Sequence, residues 1–285
     1  MIEAGTPLRD ARKRLAGAFA EAGIAEADFD ARLIVRHASG VDPAHPGAAA
    51  DAPVDAVLAE RIGLLASRRL AREPVARILG EREFHGLSLT LNAACLIPRD
   101  DTEAVVSAAL DAIPRECEAR ILDLGTGPGT ILLAILAERP LARGLGVDLS
   151  EQALAAARAN AQALGLGARA GFATGNWTTG IGGPFDLIVS NPPYIPSADC
   201  ERLDPEVRDH DPRLALDGGA KGLDAYRAIL GDARRLLAPG GVVALELGIG
   251  QAHPVAAIAR DAGLTIRALR SDLAGIPRAL VLAVR

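Results

Sequence analysis

Asn191-Pro192-Pro193-Tyr194 is the part of this chain best suited to chemistry. Four consecutive residues supply a carboxamide, two positions without a backbone N–H, and a flat phenol ring. Each proline fixes its own φ and forces the residue before it to be extended. That geometry turns the Pro192 carbonyl outward, beside the Asn191 amide oxygen. Two acceptors converging over an aromatic ring suit a planar guest that bears an NH2.

A second arrangement, Asp123-Leu124-Gly125-Thr126-Gly127-Pro128-Gly129, follows an apolar strand and opens a helix. Its glycines let the backbone turn tightly and approach a ligand closely. Many α/β turns contain glycine with no ligand at all. Here Asp148 ends the following strand, where a carboxylate can accept from both hydroxyls of a ribose. Thr130 breaks the dinucleotide pattern, which needs Gly or Ala at that position. Asp123 repels a pyrophosphate and welcomes a cation. The loop therefore favours S-adenosylmethionine, with its sulfonium centre, over NAD.

Composition narrows the function class. The 285 residues are 49% hydrophobic and 24% charged, as in a folded globular protein. A net charge of −5 argues against a protein that holds nucleic acid chiefly by neutralising phosphates. Cys95, Cys117 and Cys200 lie far apart, and the five histidines are scattered, so no metal site is expected. No apolar run reaches the length of a membrane span. Arg9, Arg12, Lys13 and Arg14 sit after Thr6-Pro7, a helix start, and read as a capped helix rather than a targeting signal. The cytoplasm is the expected compartment.

The elements that must position these residues follow from periodicity. Apolar spacing predicts helices over 6–22, 26–38 and 54–70, with a loop at 41–47. A hairpin is expected over 84–92, and a helix over 103–113 with Thr102 or Asp101 as its N-cap. From Arg120 onward the rhythm is strand, turn, helix. Strands are expected over 120–124, 145–148, 169–174, 185–190, 242–247, 264–269 and 278–284. Helices are expected over 130–138, 150–164, 223–237 and 255–262. This alternation predicts a mostly parallel sheet covered on both faces. The divisions read this way are a helical bundle (1–82), a linker hairpin (83–100) and an α/β domain (101–285).

Asp123 to Gly129, Asp148 and Asn191-Pro192-Pro193-Tyr194, in that order, resemble the Rossmann-like S-adenosylmethionine-dependent methyltransferases that modify planar amino groups. That resemblance implies a seven-stranded sheet. It leaves two guests open: the exocyclic amine of a nucleobase and the side-chain amide of glutamine. Three further segments are similar to the protein-(glutamine-N5) methyltransferases acting on peptide chain release factors. They are Ile97-Pro98-Arg99-Asp100-Asp101-Thr102-Glu103, the run from Arg208 to Gly219, and Asp272-Leu273-Ala274-Gly275-Ile276-Pro277-Arg278.

The resemblance implies that Gly125, Thr126, Gly127, Pro128 and Gly129 underlie the methionine part of the cofactor. It implies that Asp148 holds the ribose and Trp177 lies against the adenine; the alternative for Trp177 is a plain core residue. Asn191, Pro192 and Tyr194 would be catalytic, with Pro193 completing the substrate site and Asn191 touching the cofactor too. The bundle would recognise the release factor, with no membrane and no direct nucleic-acid contact. Two alternatives share the motif: a glutamine methyltransferase of a ribosomal protein, and an adenine-N6 methyltransferase of DNA or RNA. Three residues depart from the family pattern, namely Asp100 for Pro, Asn176 for Asp, and Lys221 for an acidic or similar polar residue.

Overall fold

Leu8, Ala11, Leu15 and Phe19 recur at helical spacing and are buried along one face of α1 (Leu8–Glu21). The structure, a computed structural model, describes residues 2–44, 49–272 and 274–284. Within these the chain divides into units Met1–Gly80 and Glu81–Arg285. The first unit packs α1 with α2 (Ala27–Ser39), α3 (Ala56–Leu70) and a short α4 (Val75–Leu79). The third helix starts two residues later than its apolar pattern suggests. Val54 is engaged with Gly5 and Thr6 through backbone hydrogen bonds, and Asp55 caps the helix by accepting from the Leu58 N–H. Asp30 and Arg69 form a buried ion pair at 2.7 Å between α2 and α3. Of the loop expected at 41–47, residues 45–47 lie outside the described residues, as does Leu273.

The second unit begins with a hairpin, β1 (Glu81–Phe84) and β2 (Leu87–Thr90). It starts three residues before the expected span. His85 and Gly86 both take positive φ (49° and 74°), so the turn falls there. Phe84 and Leu89 are buried in the core of the second unit. Then follow α5 (Glu103–Ala112), β3 (Arg120–Leu124), α6 (Thr130–Glu138), β4 (Arg143–Asp148), α7 (Glu151–Ala163), β5 (Ala170–Thr174) and β6 (Phe185–Ser190). The chain continues through α8 (Pro205–Arg208), α9 (Asp224–Leu236), β7 (Leu237–Glu246), α10 (Ala252–Asp261), β8 (Leu264–Ser271) and β9 (Pro277–Val284).

The described strands form a seven-stranded sheet in the order β5-β4-β3-β6-β7-β9-β8. The first five run parallel, and β9 is antiparallel to both neighbours. Alternate residues feed two cores. Ile121, Leu187, Val189, Ala244 and Val281 meet α5 and α6 on one face. Leu122, Ile188, Val243, Leu245 and Leu282 meet α9 and α10 on the other.

Strands β4 and β7 start before their predicted bounds because glycine conceals those positions. In β4, a Cβ at Gly144 would lie 2.2 Å from Leu132 Cδ1, and one at Gly146 would lie 2.8 Å from Thr126 Oγ1. In β7, Leu237 pairs with Phe185 before a register shift, and Gly241 passes close to the Phe185 and Asp186 carbonyls. No described helix is long and apolar enough to cross a membrane.

Strand order reverses between β3 and β6, which opens a crevice at their carboxyl ends, the usual ligand position in such sheets. The glycine loop leaves β3, Asp148 ends β4, and Asn191 follows β6. Ile188 lies in the central strand, fully buried between Leu122 and Val243. Ile188→Ala is expected to cost about 2–5 kcal/mol, measurable as a lower urea midpoint.

Candidate active site

A cavity opens at this carboxyl edge, where open α/β sheets bind their ligands. Gly125, Thr126, Gly127, Pro128, Asp148, Trp177, Asn191 and Pro193 line it together. Gly129, Pro192 and Tyr194 do not. Gly129 instead precedes α6 with φ 88°, where a Cβ would come within 2.8 Å of Leu133 Cδ1. Pro98, Arg99, Thr102 and Leu214 complete the walls.

The floor is acidic. Asp123 Oδ2 accepts from the Thr126 hydroxyl at 2.7 Å and from the Leu132 N–H at 3.3 Å. Its Oδ1 is buried with no hydrogen-bond partner among the described residues. Burial pushes the carboxyl up to about 7, against those two hydrogen bonds; the Asp148 charge adds to the rise. An acceptor left unsatisfied beside a cavity is costly unless a guest donates to it. Asp148 is held by the Gly127 N–H at 2.8 Å on one oxygen and the Ser150 N–H at 2.9 Å on the other. Each oxygen keeps a lone pair for a ligand.

Trp177 takes a left-handed φ of 51°, uncommon for a bulky residue. Its ring sits 3.4 Å from where a Gly125 Cβ would be, an ordinary contact, and it is the left-handed φ of 70° that favours glycine at 125. The ring packs against the sheet core and lines the cavity. Asn176 beside it is exposed and does not line the cavity. Lys221 is exposed, and Asp100 pairs with Arg82 at 2.7 Å on the surface.

The register of β6 with β7 sets Ser190 opposite Leu245. Asn191 and Glu246 therefore leave the sheet side by side. Asn191 Nδ2 donates to Thr102 Oγ1 at 3.1 Å, and the Thr102 hydroxyl donates to Glu246 Oε2 at 2.6 Å. The Tyr194 hydroxyl donates to Glu246 Oε1 at 3.3 Å. Thr102 stands at the N-cap of α5, as expected, but with helical φ/ψ (−65°, −18°) its side chain makes no capping hydrogen bond and accepts from Asn191 instead. Burial raises the Glu246 carboxyl to about 7, opposed by Thr102, Tyr194 and Arg278 and reinforced by Asp101. Burial and the Glu246 charge also push the Tyr194 phenol upward, keeping it a donor.

The backbone behind Tyr194 is tightly enclosed. A Cβ at Gly222 would lie 2.1 Å from the Tyr194 carbonyl oxygen, and one at Gly218 would lie 2.6 Å from that of Pro193. Gln251 Nε2 donates to the Tyr194 carbonyl at 2.9 Å, while its Oε1 accepts from the Gly248 N–H. Arg278 bridges Asp101 at 2.7 Å and Asp272 at 3.0 Å, and Arg99 pairs with Asp211 at 2.9 Å. Sequence reading gave Thr102, Glu246, Gln251, Arg99 and Asp211 no place in the site. A signal existed for Glu246, an acid at the end of an apolar strand. No group of three or more His, Cys, Asp or Glu among the described residues is placed to hold a metal ion.

Residues 10–80 match the PrmC N-terminal domain family, and residues 100–202 match the methyltransferase small domain family. The chain is 49% identical over 281 residues to a release factor glutamine methyltransferase of Bradyrhizobium diazoefficiens, covering 97% of this chain and 94% of that one. It is 50% identical over 260 residues to a release factor glutamine methyltransferase of Rhodospirillum rubrum, covering 91% and 80% respectively. Among solved structures, a methyltransferase from Pyrococcus furiosus shares the fold, with a TM-score of 0.53 and 19% identity. That likeness covers 76% of this chain and 95% of the other.

Because Asp123 holds its proton more tightly when folded, its contribution to stability is complete below the ordinary carboxylate range. It is lost as pH rises through about 7. Asp123→Asn keeps the shape without the charge. The variant is expected to match the parent near pH 3, to melt somewhat higher near pH 5 and higher still near pH 8, by about 2–4 °C per kcal/mol relieved. Thermal melts of both proteins at the three pH values check this.

Proposed function

Because this chain belongs to the release factor glutamine methyltransferases, S-adenosylmethionine-dependent enzymes, we propose that it methylates the side-chain amide nitrogen, N5, of the glutamine in the Gly-Gly-Gln loop of peptide chain release factors. The activity serves translation termination in the cytoplasm, with the release factor as protein partner and no direct hold on nucleic acid. The observation that carries this reading is the convergence of Asn191 and Pro193 with the 125–128 loop, Asp148 and Trp177 on a single cavity.

The residues fit the cofactor. Asp123 Oδ1 is a buried acceptor without a partner, suited to a ligand that carries an ammonium and a sulfonium. Asp148 would hold the ribose hydroxyls with its free lone pairs, Trp177 would lie against the adenine, and Gly125 to Gly129 would follow the methionine portion. When bound, S-adenosylmethionine supplies an electrophilic methyl group.

The chain's own groups then act on the substrate amide. A glutamine nitrogen is a poor nucleophile because its lone pair is delocalised into the carbonyl. Asn191 Oδ1 and the Pro192 carbonyl accept its two N–H groups and fix its orientation. The same acceptors stabilise the positive charge that grows on nitrogen as it becomes tetrahedral. Tyr194 covers the amide plane and helps exclude water. An alkylated amide nitrogen is strongly acidic, so no strong base is required to take its proton. The first unit would grip the release factor at a surface away from the modified loop; exposed Val57 and Leu64 on α3 support this role.

Mass spectrometry of a release factor incubated with enzyme and cofactor is expected to locate one added methyl on that glutamine. Methylation elsewhere, or none, overturns the reading. Asn191→Ala should lower kcat roughly 100–1,000-fold while cofactor affinity in calorimetry changes little. The chain has one tryptophan, Trp177, so cofactor binding should alter intrinsic fluorescence directly. Unchanged emission at saturating cofactor would remove Trp177 from the site.

A further inference from the structure

We infer that Glu246, acting through the Thr102 hydroxyl, decides which end of the Asn191 carboxamide faces the cavity. The inference deepens the proposed reading and rests on it for its catalytic consequence. The oxygen and NH2 of an asparagine side chain are nearly the same size, so shape alone does not choose between them. Hydrogen-bond inventory does. An ionised carboxylate only accepts, a hydroxyl has one hydrogen to give, and an NH2 only donates.

The chain of contacts has a single consistent polarity. The short 2.6 Å contact between Thr102 Oγ1 and Glu246 Oε2 commits the hydroxyl hydrogen to the carboxylate. Thr102 Oγ1 then has only lone pairs to offer Asn191, 3.1 Å away, and must meet its NH2. The amide oxygen is left as the end turned from Thr102, toward the cavity that Asn191 lines. Reversing the amide would present two N–H donors to a guest that itself carries N–H groups. Glu246 and Thr102 are positioning residues in this account; neither need touch the reacting atoms.

The surroundings of Glu246 hold it in place. Thr102 and Tyr194 donate to its two oxygens, and Arg278 lies close enough to favour its charge. Asp101 opposes that charge but is itself paired with Arg278 at 2.7 Å. The Tyr226 hydroxyl donates to the Glu246 backbone carbonyl at 2.9 Å. Protonated, Glu246 becomes a possible donor to Thr102, and the polarity is no longer enforced.

Three variants test the idea: Thr102→Val, Thr102→Ser and Glu246→Gln. Each is assayed with the parent for methyl transfer to release factor at saturating cofactor. In parallel, proton exchange of the Asn191 side-chain NH2 is followed by 15N NMR, its signal identified by its loss in Asn191→Ala. Thr102→Val should lower kcat and speed exchange, each roughly 10–100-fold, with KM changed less than about threefold. Thr102→Ser, which keeps the hydroxyl, should recover most of both. Glu246→Gln offers a donor as well as an acceptor, so kcat should fall, and the parent's loss of kcat below about pH 7 should vanish.

Parent kcat and exchange rate in Thr102→Val, or equal losses in Thr102→Val and Thr102→Ser, would overturn the inference. If the parent enzyme methylates no release factor, the proposed function fails, and the exchange rates alone decide the orientation.

Discussion

Ser190 sits opposite Leu245 in the parallel pairing of β6 with β7, and the arrangement of the carboxyl edge follows from that register. One residue further along each strand, Asn191 and Glu246 emerge as neighbours at the point where the pairing of β6 with β7 ends. A slip of one residue would reverse the facing of the β6 side chains, moving Leu187 and Val189 out of one core and Ile188 out of the other. Burial on both faces therefore fixes the register, and the register in turn fixes which polar groups meet above the sheet. The alternating apolar side chains are thus also what aligns the site.

Two buried acids serve the site, Asp123 in the cavity wall and Glu246 behind Thr102, and the same cause raises both. Asp123 and Glu246 lose most of their water, which pushes each carboxyl to about 7. Their surroundings then assign different tasks. Asp123 keeps one oxygen without a hydrogen-bond partner, an opening for a cationic ligand. Both oxygens of Glu246 are engaged by hydroxyls, so its charge is spent inside the protein, on orientation. Neither acid could be placed this way at the surface, where water would satisfy it at little cost.

Rigidity behind Asn191 to Tyr194 comes from missing side chains as much as from those present. Gly218, Gly222 and Gly248 approach Pro193 and Tyr194 more closely than any Cβ would allow. Gln251 closes the remaining gap with hydrogen bonds to the Tyr194 and Gly222 carbonyls. Arg278, Asp101 and Asp272 tie the approach to β9 to the segment before α5, and Arg99 with Asp211 ties that segment to the chain after α8. Three motifs far apart in the chain are thereby brought around one short loop.

The amino-acid order alone determined the strand-helix alternation, the glycine loop after β3, Asp148 at the end of β4 and the Asn-Pro-Pro-Tyr corner after β6. Those features are local: periodicity, proline geometry and glycine freedom act within a few residues and survive in one dimension. Where glycine replaced apolar residues, in β4 and at the start of β7, the pattern failed because those positions are chosen for close packing against distant elements. The partners of Asn191 were invisible for the same kind of reason. Thr102 could be read only as the N-cap residue it is, a local position; folding added Glu246, 2.6 Å away across 144 positions of sequence. Only the tertiary structure decided that contact, because a hydroxyl goes to the strongest acceptor in reach, and reach is a property of the fold.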